Sequence, residues 1–157
     1  MKKFAVVIIL FLVAGLGGCV TDRDYFTVTL SVSVENLLEN MHMLDSHKHE
    51  LVPAEGIIFP ATAVRAYDGD SVFDVLNREM RNASIHLVFR RMPVFDSVYI
   101  EAINNIFEFD AGPLSGWMYQ VNDGFPGVGA SSHFVQDGDV IEWHYTLDLG
   151  RDLNHEQ

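Results

Sequence analysis

Ser71-Val72-Phe73-Asp74-Val75-Leu76-Asn77-Arg78-Glu79-Met80-Arg81 decides the fold, because no other stretch of this chain has a clear helical period. Phe73, Leu76 and Met80 fall on one stripe with Val72 and Val75 beside it, while Asn77, Arg78 and Arg81 face out. Ser71 with Asp74 three residues on forms a capping box, and Asn82 is a stop. Around this helix the chain reads as extended. Upstream, Tyr25–Val34 alternates, with Phe26, Val28, Leu30, Val32 and Val34 pointing one way and Thr27, Thr29, Ser31 and Ser33 the other. That is a half-buried strand with one wet face. Glu35–Pro53 has no clear period, although Leu37, Leu38, Met41 and Leu44 suit a short helical turn. Ile57–Ala66 is extended, and Pro60 places it at a sheet edge. Downstream, His86–Phe89, Ser97–Ile103, Ile106–Phe109, Trp117–Val121 and Val140–Thr146 read as strands. Tyr67-Asp68-Gly69-Asp70, Asn122-Asp123-Gly124 and Asp137-Gly138-Asp139 are turns. About six strands to one amphipathic helix predicts an α+β domain, the helix covering one face of a mixed, mostly antiparallel sheet.

The chain opens differently. Lys2 and Lys3 precede an apolar run, Phe4–Leu16, which leads into Leu16-Gly17-Gly18-Cys19. A basic start, an apolar core and small residues before a cut describe a secretory signal peptide. The run is shorter than the roughly 20 residues a spanning helix needs. Leu-Gly-Gly-Cys also resembles the bacterial lipobox, in which the cysteine is acylated and the chain is cut just before it. The expected organisation is a lipoprotein signal peptide at 1–18, a lipid-anchored spacer at 19–24, one domain at 25–150 and a frayed polar tail at 151–157. Cys19 is then the lipid attachment site, and the protein works on the extracytoplasmic face of a membrane. Losing Lys2 and Lys3 with the signal takes the formal charge from -12 to -14. So negative a chain is a poor partner for nucleic acid. Cys19 is the single cysteine, so the domain must be held by an apolar core, which a chain of this size can bury.

From Gly69 onward three segments recur in a fixed order. Gly69-Asp70-Ser71-Val72-Phe73-Asp74-Val75-Leu76 opens the helix. Ser115-Gly116-Trp117-Met118-Tyr119-Gln120-Val121-Asn122 forms a strand, and Asp137-Gly138-Asp139-Val140-Ile141-Glu142-Trp143 a turn and a strand. Tyr145-Thr146, Asp148-Leu149-Gly150 and Asp152 close the set. Together these resemble the transcobalamin C-terminal-like domain family, bacterial domains related to the small β-domain of the animal cobalamin carriers. The resemblance implies a β-grasp-like fold and a non-catalytic small-ligand site, with cobalamin or another corrinoid as a candidate ligand and no cofactor required. Relatives carry cysteines near the positions of Val34, Ala111, Ala130 and Leu147, which this chain lacks.

Two strands carry the candidate site. Alternation puts Trp117, Tyr119 and Val121 on one face and Met118 and Gln120 on the other. Ile141, Trp143 and Tyr145 likewise share a face opposite Glu142 and His144. Trp117, Tyr119, Trp143 and Tyr145 could form an aromatic platform for a flat, mostly apolar ligand, or they could be sheet core. The loop Asn122–Ser132 places Phe125 and Val128 among glycines that let backbone approach a ligand. The alternative is a plain connection with Phe125 tucked inside. Asn122, Phe125 and Val128 complete the ligand-binding set.

His42, His47 and His49, with Asp45 and Glu50, offer metal-ligand chemistry. Their spacing matches no tight template, so no metal is expected. The sequence contains no nucleophile with an ordered His and acid partner, no phosphate loop and no helix-borne His-Glu pair, so a binding role is expected rather than catalysis. A second class of function remains open at this stage, a surface protein-protein interaction or adhesion module.

Overall fold

The computed structural model describes residues 24–153; the signal segment 1–18 and Cys19 lie outside the described residues. Seven strands are described: β1 Tyr25–Ser33, β2 Ile57–Tyr67, β3 Leu87–Met92, β4 Ser97–Ile103, β5 Ile106–Phe107, β6 Gly116–Val121 and β7 Val140–Thr146. Two α-helices accompany them, the single turn α1 Glu35–Leu38 and the longer α2 Val72–Asn82. Short 3-10 turns at Met41–Met43 and Ser46–Leu51 occupy the aperiodic stretch after α1.

The expected helix forms where its pattern placed it. Ser71 caps α2: its Oγ accepts from the Asp74 N–H at 3.2 Å while the Asp74 carboxylate accepts from the Ser71 N–H at 2.9 Å. The next two amides donate to the loop before β7, Val72 to the His133 carbonyl at 2.9 Å and Phe73 to the Ala130 carbonyl at 3.0 Å. Helix start and loop therefore complete one another's hydrogen bonds. Val72, Phe73, Val75, Leu76 and Met80 are buried as the stripe requires, and Phe73 meets Phe89 of β3 edge-to-face at 4.7 Å. Arg78 is a correction, since it does not simply face solvent. It is half-buried, donating to Asp70 at 2.8 Å and to the Arg65 carbonyl at 2.5 Å.

The strands form two sheets where the sequence suggested one. The first has the order β2-β1-β7-β6, the second β3-β4-β5. In the first sheet β1 pairs antiparallel with β2 and parallel with β7, and β7 pairs antiparallel with β6. Two antiparallel pairs joined through a parallel centre, with a helix crossing between them, is the β-grasp arrangement the resemblance implied. Alternation shows that a segment is extended but not which segment it pairs with, and pairing here is long-range. The edge position of β2 agrees with Pro60.

Val28, Leu30 and Val32 of β1 are buried, each contributing about 1.5–3 kcal/mol of transfer free energy. Ser33, expected on the wet face, is buried instead, because α1 and β7 close over it; its hydroxyl bonds His144 Nδ1 at 3.1 Å. The start of the expected frayed tail is also tied down. Arg151–Leu153 is a 3-10 turn in which Asp152 accepts from Thr146 Oγ1, the Leu147 N–H and Asn36 Nδ2.

Candidate ligand site

β6 and β7 lie side by side with Trp117 opposite Tyr145 and Tyr119 opposite Trp143. Because side chains alternate, all four aromatics rise from the same face. Trp117 packs edge-on against Tyr145 at 5.2 Å, and Tyr119 tilts over Trp143 at 5.3 Å. The predicted aromatic cluster therefore exists, but it is sunk in the core. Trp117 is 7% exposed, Trp143 2% and Tyr145 1%. Only Tyr119 is half-exposed.

The four differ in how their polar atoms are satisfied. Trp117 Nε1 donates to the Ile106 carbonyl at 2.9 Å. The Tyr145 hydroxyl lies 2.7 Å from the Phe107 carbonyl and 3.0 Å from Ser115 Oγ. The Tyr119 hydroxyl donates to the Val128 carbonyl at 2.8 Å and so holds the Asn122–Ser132 loop against the sheet. Burial pushes the Tyr119 phenol up to about 12. Trp143 Nε1 is enclosed and has no hydrogen-bond partner among the described residues.

The loop crosses these aromatics and leaves a hollow of about 300 Å³ beneath it. Trp117, Tyr119, Phe125, Val128 and Trp143 all line it, so five of the seven residues picked from the sequence converge on one space. A neighbouring hollow of about 480 Å³ shares Val98, Tyr99 and the Gly127–Gly129 stretch with it and runs on to Met92 and Ser97. The loop approaches β4 so closely that a Cβ on Gly129 would lie 1.5 Å from Ser97 Oγ. Ser131 Oγ accepts from the Val98 N–H at 2.9 Å and fixes the same junction. Val98, Tyr99 and Ile100 on β4 form the wall that sequence reasoning missed. Their alternation was visible, but nothing local says that the second sheet folds back onto β6.

Two predicted residues stand elsewhere. Tyr145 is buried and bonded to Phe107 and Ser115; it lines the cavity on the other side of the pair rather than this hollow. Asn122 is exposed on the turn after β6, where it accepts from the Val140 N–H and donates to Asp139, both at 2.9 Å. It sets the turn and lines a separate depression of about 380 Å³ with Phe125 and Phe134.

The opposite face of the β6–β7 pair carries a wider cavity of about 820 Å³. Gln120, Glu142 and His144 floor it, and Glu35, Asn36, Glu39 and Asn40 wall it. The histidines considered for metal are engaged separately: His47 pairs with Asp45 at 2.8 Å, and His49 Nε2 meets the Leu44 carbonyl at 3.0 Å. Among the described residues no three His, Cys, Asp or Glu side chains are grouped to hold a metal, and no helix is long and apolar enough to cross a membrane.

This fold is that of the transcobalamin C-terminal-like domain, which the chain carries. Residues 69–146 match the family described as "Domain of unknown function (DUF4430)". Among solved structures, haptocorrin in complex with Cbi is similar with a TM-score of 0.59 and 16% identity over 81% of this chain. The match spans 26% of the haptocorrin chain and establishes the fold. A structure described as a "putative metal binding protein" from Ruminococcus gnavus ATCC 29149 aligns over 77% of this chain and 96% of its own, with 12% identity and a TM-score of 0.46. No curated protein matches the sequence.

Proposed function

We propose that this protein is a membrane-tethered, extracytoplasmic lipoprotein whose domain captures a small ligand without transforming it, a corrinoid being the leading candidate. The observation that carries the ligand reading is the convergence of Trp117, Tyr119, Phe125, Val128 and Trp143 on one mostly apolar hollow under a glycine-bearing loop. Ligand sites are concave, mainly apolar and furnished with few polar groups. The fold shared with haptocorrin, whose structure holds Cbi, supports the choice of corrinoid. At about 300 Å³ the hollow is at the small end of ligand pockets, about 300–1,000 Å³. A corrinoid would therefore be gripped by its edge, with the Asn122–Ser132 loop as one lid and a second surface covering the rest. The tether rests on Leu16-Gly17-Gly18-Cys19, which resembles a lipobox.

Calorimetric titration with cobalamin and cobinamide tests the ligand. Micromolar binding that disappears in Phe125→Ala supports the reading, and no heat at high concentration ends it. For the tether, Cys19→Ser should move the protein from the membrane to the soluble fraction; a variant that stays on the membrane removes the anchor. The exposed edge of β2, with Ala61, Thr62 and Ala63 open to solvent, favours a second reading as a strand-pairing surface for another protein. Co-purification of a partner without any ligand uptake would select it.

A further inference from the structure

We infer that the hollow under the Asn122–Ser132 loop selects a small, flat, mainly apolar group, a whole ligand or the inserted edge of a larger one, carrying one hydrogen-bond acceptor to which the indole N–H of Trp143 donates. This rests on the reading of that hollow as a ligand site and specifies its chemistry.

The argument starts from the two tryptophans. Both are buried on the same face of the β6–β7 pair, yet only one is satisfied. Trp117 Nε1 has the Ile106 carbonyl at 2.9 Å; Trp143 Nε1 has nothing. A buried donor without a partner is costly, and folded proteins rarely keep one. An indole nitrogen only donates, so what is missing is an acceptor. No acceptor among the described residues is placed to take its proton. The Tyr119 O–H is committed to the Val128 carbonyl at 2.8 Å and the Tyr99 O–H to Glu108, while Phe125, Val128, Val98 and Ile100 are apolar. The acceptor must then arrive with the ligand. The aromatic walls and the volume of about 300 Å³ ask for a flat body of one or two rings. Nε1 is enclosed, so the ligand reaches it only when the groups over it shift.

Quinoline and naphthalene make the test, being nearly identical in shape and differing in one ring nitrogen acceptor. The chain has two tryptophans, so the 15N-labelled full chain shows two indole cross-peaks, assigned through Trp117→Phe and Trp143→Phe. Quinoline at neutral pH should move the Trp143 peak downfield and leave that of Trp117 nearly in place. It should bind about tenfold more tightly than naphthalene, one hydrogen bond's worth of discrimination. Trp143→Phe should make the two affinities equal. Should that variant fail to fold, Val128→Trp provides the check: filling the hollow from its exposed rim should abolish binding of both probes. Equal affinities in the unaltered protein, an unmoved Trp143 peak, or binding that survives Val128→Trp would each overturn the inference and leave water as the partner of the indole. Cobinamide binding that depends on Phe125 while quinoline fails would leave the ligand-capture reading standing; failure of all the probes would remove both.

Discussion

The two faces of the β6–β7 pair carry hollows of opposite character. On one face Trp117, Tyr119 and Trp143 sit under a loop pinned by Tyr119, Ser131 and the start of α2, leaving about 300 Å³. On the other, Gln120, Glu142 and His144 face about 820 Å³ bounded by α1. The larger space is lined by about equal polar and apolar surface, its polar groups ones that water can satisfy. The smaller one holds a buried donor that water has been largely excluded from. Size therefore ranks these spaces in the wrong order for chemistry, and unmet hydrogen-bonding capacity separates them.

The contrast can be broken most forcefully at Trp117. Trp117→Ala should cost about 3–5 kcal/mol, the usual loss for a large buried aromatic, read by denaturant unfolding; a cost near zero would mean that this face is not core. Gly129→Ala comes next, at about 1–3 kcal/mol, because the new methyl must displace Ser97 and lift the loop off β4. Loss of the Val98 and Ser132 amide protection in hydrogen exchange should accompany it. A finer comparison sets the two indoles against each other. Trp117→Phe strands the Ile106 carbonyl, whereas Trp143→Phe removes a donor that already lacked a partner. The first should therefore be more destabilising by about 1–2 kcal/mol, and equality would show that Trp143 is satisfied after all. On the polar face Glu142→Gln should stay within about 0.5 kcal/mol of the parent.

The smallest effect is local and set by pH. Burial raises the Tyr119 phenol to about 12, against an ordinary value of 10. A folded pKa above the unfolded one means that the clamp's stabilisation is whole below pH 10 and fades as pH climbs towards 12. Tyrosinate absorbance of the parent minus that of Tyr119→Phe should show this late titration, and a midpoint near 10 would mean the loop stands open.

Which parts of this were readable in advance follows from the range of the interactions involved. The capping box, the Val72–Met80 stripe and the alternation of β1 are local patterns, and the structure keeps them. The convergence of Phe125 and Val128 with the aromatic strand was legible because apolar residues in a glycine-rich loop need somewhere to go. Three features depended on distant pairing and were not legible. Ser33 is buried by α1 and β7, Tyr145 is claimed by Phe107 and Ser115, and the strands divide into two sheets. Asp152 belongs with these. Partial burial favours its neutral form, but hydrogen bonds from Thr146 and Leu147 prevail and hold its carboxyl below the usual range. No local pattern distinguishes it from the other acids of a polar tail.

The parallel pairing of β1 with β7 sets a schedule for this domain. Thr29 aligns with Val140 and Ser33 with His144, so the centre of the main sheet joins the first and last strands described. A ribosome delivers the chain from its N-terminal end. Through most of that delivery β1 and β2 can pair with each other, but β1 has an open flank where β7 belongs. Contacts so far apart in sequence form slowly, because the chain between them must be ordered first. Native closure is thus withheld until β7 has been delivered, which leaves the partly delivered domain dependent on protection from aggregation until then.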